Sequence, residues 1–190
     1  MSISLKKGQG ISLKKAAPSL NAGFIGLGWD VKQQGGMDFD LDASIFMLGT
    51  NGKLISDQHF IFYNNLTSPD PDKSVKLMGD NRTGAGEGDD EVLIVDFRKV
   101  PADVESIVIA VSIYEGEERK QTFGSVQNAF VRLVDVETKK EVLRYSLEQQ
   151  FSNETALIMA SVAKVNGEWQ LNAIGDAYQG GLQTLVDRYQ

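Results

Sequence analysis

The feature that most constrains the fold of this chain is a succession of short apolar or alternating runs, each bounded by turn residues. They fall at 24–31, 39–48, 60–63, 92–97, 106–114, 130–136, 141–147, 155–164 and 168–174. In the run 106–114, Ile107, Ile109, Val111 and Ile113 recur with period two, as one face of a core strand requires. Asn51-Gly52 and Asn166-Gly167 are hairpin signals, and all four prolines stand outside the runs. Near the N-terminus, Ile3-Ser4-Leu5-Lys6-Lys7 recurs as Ile11-Ser12-Leu13-Lys14-Lys15 across Gly8-Gln9-Gly10, which reads as a hairpin of two short strands.

Helical periodicity is confined to the C-terminus, where Leu182, Leu185, Val186 and Tyr189 follow Gly180-Gly181 at i, i+3, i+4 and i+7; residues 115–126 add at most a turn. Crossover helices between the runs are missing, which excludes a parallel α/β sheet. The expected fold is all-β: an antiparallel two-sheet β-sandwich with one or two short helices, one of them C-terminal. No Pro/Ser-rich linker divides the 190 residues, so a single domain over 1–190 is expected.

The acidic residues are unevenly placed. Segments 38–42 and 80–91 hold Asp38, Asp40, Asp42, Asp80, Glu87, Asp89, Asp90 and Glu91 against one basic residue, Arg82. Removing these eight acids and one base from 26 and 19 leaves 18 and 18, so 17 residues carry the whole net charge of −7. A local excess of this kind indicates a cation site and argues against nucleic-acid binding. Strict alternation through Asp38-Phe39-Asp40-Leu41-Asp42-Ala43-Ser44-Ile45 would put three carboxylates on one strand face, neighbours roughly 7 Å apart. Each pair repels by roughly 0.6 kcal/mol in water and 2 to 3 kcal/mol at an effective dielectric of about 20. Gly84, Gly86 and Gly88 let the second segment aim carbonyl oxygens inward, bracketed by Asp80, Asp89 and Asp90.

Without cysteine, and with His59 as the only histidine, the chain offers no thiolate site and no hydrolase triad. Hard oxygen ligands favour Ca²⁺ over Mg²⁺, which keeps its waters. The site is not an EF-hand, since a loop starting at Asp38 has Ala43 at its sixth position and Gly49 at its twelfth. It is not a stacked nonapeptide repeat, which needs many copies, nor a phosphate loop, since no Gly-Lys-Ser/Thr follows a strand. Paired carboxylates as in glycoside hydrolysis are the remaining enzyme reading, and the acids are too many and too concentrated for one acid/base pair.

Gly26-Leu27-Gly28-Trp29-Asp30, Asp38-Phe39-Asp40-Leu41-Asp42-Ala43-Ser44, Phe60-Ile61-Phe62-Tyr63-Asn64-Asn65, Gly79-Asp80-Asn81-Arg82-Thr83-Gly84 and Gly88-Asp89-Asp90-Glu91 together resemble the TerD family of bacterial tellurite-resistance and general stress proteins. The resemblance runs from Ser2 to Leu182. It implies a sandwich that binds calcium, two ions, between acidic loops, with an integral membrane TerC-like partner. The ligands it suggests are Asp40, Asp42, Asp80, Asp89 and Asp90, then Asn64 and Glu91, with main-chain carbonyls near Arg82, Gly84 and Gly86; Asp38, Asp30 and Glu115 are further candidates.

The functional expectation is a non-enzymatic calcium-binding scaffold in tellurite and stress resistance, cytoplasmic because no signal peptide or membrane span is legible. The alternatives are a calcium-dependent module on membrane surfaces and a carboxylate- or metal-dependent enzyme.

Overall fold

The computed structural model describes residues 2–31, 39–78, 88–148 and 150–190. Among them twelve strands form two six-stranded sheets packed face to face. The first sheet has the order β1 (Ile3–Leu5), β10 (Glu141–Ser146), β9 (Val126–Asp135), β3 (Ala22–Val31), β7 (Glu91–Asp96), β6 (Val75–Leu77). The second runs β2 (Gly10–Ser12), β12 (Glu168–Tyr178), β11 (Ala156–Val165), β8 (Ser106–Ile113), β4 (Leu41–Leu48), β5 (Phe60–Ile61). Every pairing is antiparallel except β1 on β10.

Ile25, Leu27, Leu93, Val95, Val131 and Leu133 from the first sheet meet Ile45, Met47, Ile107, Ile109, Val111, Val162 and Leu171 from the second in one core. The period-two face of β8 is buried there, and its other face is buried too. Val108 and Ala110 join Phe46, Ile158 and Leu185 in a second cluster beneath α3 (Gly181–Tyr189), the expected C-terminal helix. Burying a leucine such as Leu185 stabilises by about 1.5 to 3 kcal/mol, which holds α3 across the outer face of the second sheet.

The N-terminal hairpin is a correction. The repeats do not pair with each other: β1 extends the first sheet beside β10, and β2 extends the second beside β12. The turn between them is bonded to β12, Gly8 N–H to Ala173 O and Ala173 N–H to Gln9 O at 2.8 Å each. An isolated two-stranded hairpin is marginal, whereas two open sheet edges with a core beneath bury Leu5 and Leu13. The second repeat also turns helical at α1 (Leu13–Ala16), with the Ser12 hydroxyl accepting from Lys15 N–H and Lys and Ala favouring a helix. Strand β6 was not legible, and α2 (Gly116–Arg119) supplies the turn expected within 115–126.

Candidate metal centre

Antiparallel registers bring one set of strand ends together. Leu27 faces Glu91, Val31 faces Val126, Leu41 faces Ile113 and Ala156 faces Ser112. Phe123 N–H donates to Glu154 O at 2.8 Å, joining the two sheets' connections at this end. Val31, Phe39, Met78 and Gly88 lie there as well, so the acidic segments enter and leave the sandwich at a common edge.

At its centre is Asp90. The residue is 6% exposed, its Oδ2 accepts from Trp29 N–H at 2.7 Å, and its own N–H donates to Leu27 O at 2.7 Å. Burial pushes its carboxyl above the usual carboxylate range; the bond from Trp29 opposes this, and the charges of Asp30 and Asp89 add to it. Asp30 is exposed and its Oδ2 accepts from the Asn128 side-chain amide at 2.6 Å. Asn128 takes φ of 52°, in the left-handed region that asparagine tolerates, where the β3–β9 register shifts between Gly28 and Asp30.

The glycines of β3 explain how the second acidic segment comes so close. Ile25, Leu27 and Trp29 face the core, so Gly26 and Gly28 face outward. A Cβ at Gly26 would enter the Asp89 carboxylate, and one at Gly28 would enter the Phe130 ring. Their absence lets Asp89 lie flat on the strand, where both oxygens meet the Arg132 guanidinium at 2.8 Å. Arg132 also approaches Glu141, which pairs with Arg144, and Arg144 covers the Phe130 ring.

A family model described as the TerD domain matches residues 1–189. The chain belongs to the TerD family. It is 49% identical over 189 residues to tellurium resistance protein TerD of Serratia marcescens, covering 100% of this chain and 97% of that protein. To general stress protein 16U of Bacillus subtilis (strain 168) it is 49% identical over 190 residues, with the same coverage of 100% and 97%. A crystallised homologue of the telluride resistance protein TerD from Streptomyces coelicolor A3(2) has the same fold, at a TM-score of 0.67, 17% identity and coverage of 88% and 96%. The TerD relatives are thus tellurium resistance and general stress proteins.

Within this TerD sandwich the sequence-derived ligands separate. Asp38, Asp80, Arg82, Gly84 and Gly86 lie outside the described residues. Asp40 immediately precedes β4, its carbonyl accepting from Tyr114 N–H at 2.8 Å. Asp42 follows Leu41 onto the outer face of the second sheet, opposite Ser112, with both sheets between it and Asp89. Glu91 shares the inner face of β7 with Leu93 and Val95 and is buried. Asn64 occupies an exposed turn closed by Phe62 and Asn65. Glu115 has φ of 49° and pairs with Arg119 at 3.3 Å.

Among the described residues no three Asp, Glu or His side chains converge enough to hold a metal by themselves. Arg132 and Asn128 were missed in the sequence. Arg132 is a charged residue in the apolar run Phe130-Val131-Arg132-Leu133, opposite Gly26, and that pairing is the signal that marks it. No described helix is long and apolar enough to cross a membrane.

Proposed function

We propose that this TerD-family chain is a calcium-binding module of tellurium and stress resistance, with Asp90, Asp30 and Asp40 supplying carboxylates. The supporting observation is Asp90: a buried carboxylate beside Asp30 and Asp89, at an edge where the Arg132 guanidinium is already committed to Asp89. A cation there offsets the repulsion that burial amplifies. The donors are hard oxygens, as Ca²⁺ prefers. Ca²⁺ takes six to eight of them, and the remaining acids of segments 38–42 and 80–91 adjoin these three in the chain.

Bound calcium would supply charge neutralisation and fix the loops in one arrangement. The protein's own residues do the rest: Trp29 N–H orients Asp90, Asn128 orients Asp30, and Arg132 draws Asp89 down onto β3. At free calcium of about 100 Kd, binding adds about 2.7 kcal/mol of stability. Titration calorimetry and thermal melts with Ca²⁺ and with chelator test this reading. Saturable heat and a melting temperature lowered by chelator support it; no heat and an unchanged melting temperature end it.

A further inference from the structure

The two sheets differ on their outer faces. That of the second sheet is covered by α3, whereas no described helix packs across that of the first. The middle of the first sheet's outer face is nonetheless apolar. Strand registers set Ile94, Phe24 and Val134 side by side on β7, β3 and β9, with Lys76 of β6 and Glu141 of β10 at the two ends of the row. Val92 and Val136 adjoin it along β7 and just beyond β9. All five apolar side chains are half-buried, and none belongs to either apolar cluster of the core. An antiparallel sheet facing water alternates apolar inside with polar outside, so an apolar row on the outer face marks a contact surface.

Charge indicates what covers it. Lys76, Arg132, Lys139 and Arg144 on and around this face are matched by Asp89, Asp96, Asp135 and Glu141, which leaves the face without net charge. Such a face gives no preference to a highly charged partner. It also lets two copies approach although each carries −7, since that excess lies in segments 38–42 and 80–91, which enter and leave the sandwich at one edge. The same excess fixes the orientation. A two-fold axis parallel to the strands would set the two acidic edges side by side, whereas an axis across the strands sets them at opposite ends.

In that orientation the pattern complements itself, as a two-fold contact must. With the axis crossing β3 at Gly23, the row of Phe24 in one copy lies over the row of Ala22 in the other. Phe24 then enters the space left by the small Ala22, Val134 meets Val136, and Lys76 approaches the row that holds Asp96.

We propose that the outer face of the first sheet joins two copies of this chain back to back, with their strands antiparallel and their acidic edges at opposite ends. Six strands of three to ten residues project about 600 Å² per copy. A contact of about 1,200 Å² in total stands at the lower limit of specific interfaces, so the dimer is weak and concentration-dependent. It leaves both acidic edges free and is independent of the calcium reading.

The test is sedimentation velocity on the full chain in chelator, from micromolar to near-millimolar concentration. A reversible monomer–dimer equilibrium is expected. Phe24→Lys and Ala22→Lys, both outward on β3, should each weaken dimerisation about tenfold or more, because each puts a charge at the centre of the contact. Thermal melts show whether either variant has also lost stability. The chain has no cysteine, so Phe24→Cys protein carries a single thiol, and a short bismaleimide should join two copies through it. Gln183→Cys, exposed on α3, should not cross-link. A monomer at every concentration, unchanged dimerisation in both lysine variants, or equal cross-linking through Gln183→Cys overturns the proposal. So does a dimer that forms only with Ca²⁺, which would bring the acidic edges together.

Discussion

Arg132 holds both carboxylate oxygens of Asp89 at 2.8 Å, over the outward-facing Gly26 of β3. The Asp89 side chain is only 5% exposed and that of Arg132 is 29% exposed, so the fork is screened on one side only. Breaking a fully buried pair costs about 3 to 5 kcal/mol, and partial solvation of the arginine brings the expected cost of Arg132→Gln to about 1 to 3 kcal/mol. Urea unfolding of Arg132→Gln, Asp89→Asn and the double variant gives the coupling. A coupling near zero would show that the pair is incidental.

Gly26→Ala tests the same contact from the backbone side. The new methyl would occupy the space of the Asp89 carboxylate, so the carboxylate must leave Arg132 or β3 must move. A loss of about 1 to 3 kcal/mol is expected, as for overpacking. Shortening the partner should relieve it: Gly26→Ala with Asp89→Ala should be less destabilised than the sum of the two single changes. Strict additivity in urea midpoints would refute the steric account.

Strand positions were legible because both periodicity and turn chemistry are local. The run at β8 stands over 106–113, within one residue of its reading, and Leu182, Leu185, Val186 and Tyr189 mark α3. What sequence could not give was the partner of each segment. The N-terminal repeats looked like a hairpin because they resemble each other, yet the open edges of β10 and β12 bury their leucines better. Alternation correctly put Leu41, Ala43 and Ile45 inward, and so turned Asp42 outward. Since Asp42 and Asp89 occupy the outer faces of different sheets, their common acidity did not make them neighbours. Arg132 was hidden for a different reason: an outward basic residue on a strand is ordinary until the glycines across from it are seen to hold an aspartate.

Asp135 makes a pH prediction. It is 4% exposed at the β9–β10 turn, where Oδ1 accepts from Glu137 N–H at 2.8 Å and Thr138 N–H at 3.3 Å. Burial alone would raise its carboxyl, but these bonds and Lys139 outweigh it and hold the group below the usual range. A depressed folded-state value means the contribution is full above the unfolded value of about 3.9 and is lost as pH falls through the lowered one. Asp135→Asn, which cannot titrate, should therefore lose less stability than the parent between about pH 4 and pH 2. Urea midpoints across that range measure the difference, and parallel pH profiles would contradict the assignment.

Asp90 should show the opposite sign, and calcium should reverse it. Its folded-state carboxyl is raised by burial and by its acidic neighbours, so in the metal-free protein the ionised form is penalised. That penalty is absent below about pH 3.9, grows as the unfolded chain ionises, and is complete above the raised folded value. Asp90→Asn removes the charge while its side-chain oxygen still accepts from Trp29 N–H. In chelator at neutral pH the variant should therefore melt no lower than the parent. With saturating Ca²⁺ the order should invert, since the parent gains binding energy and the variant does not. A crossing of the two melting temperatures with calcium identifies Asp90 as a ligand. A variant that melts lower in chelator and still gains the full calcium shift would instead make Asp90 a structural carboxylate, holding β7 to β3 through Trp29.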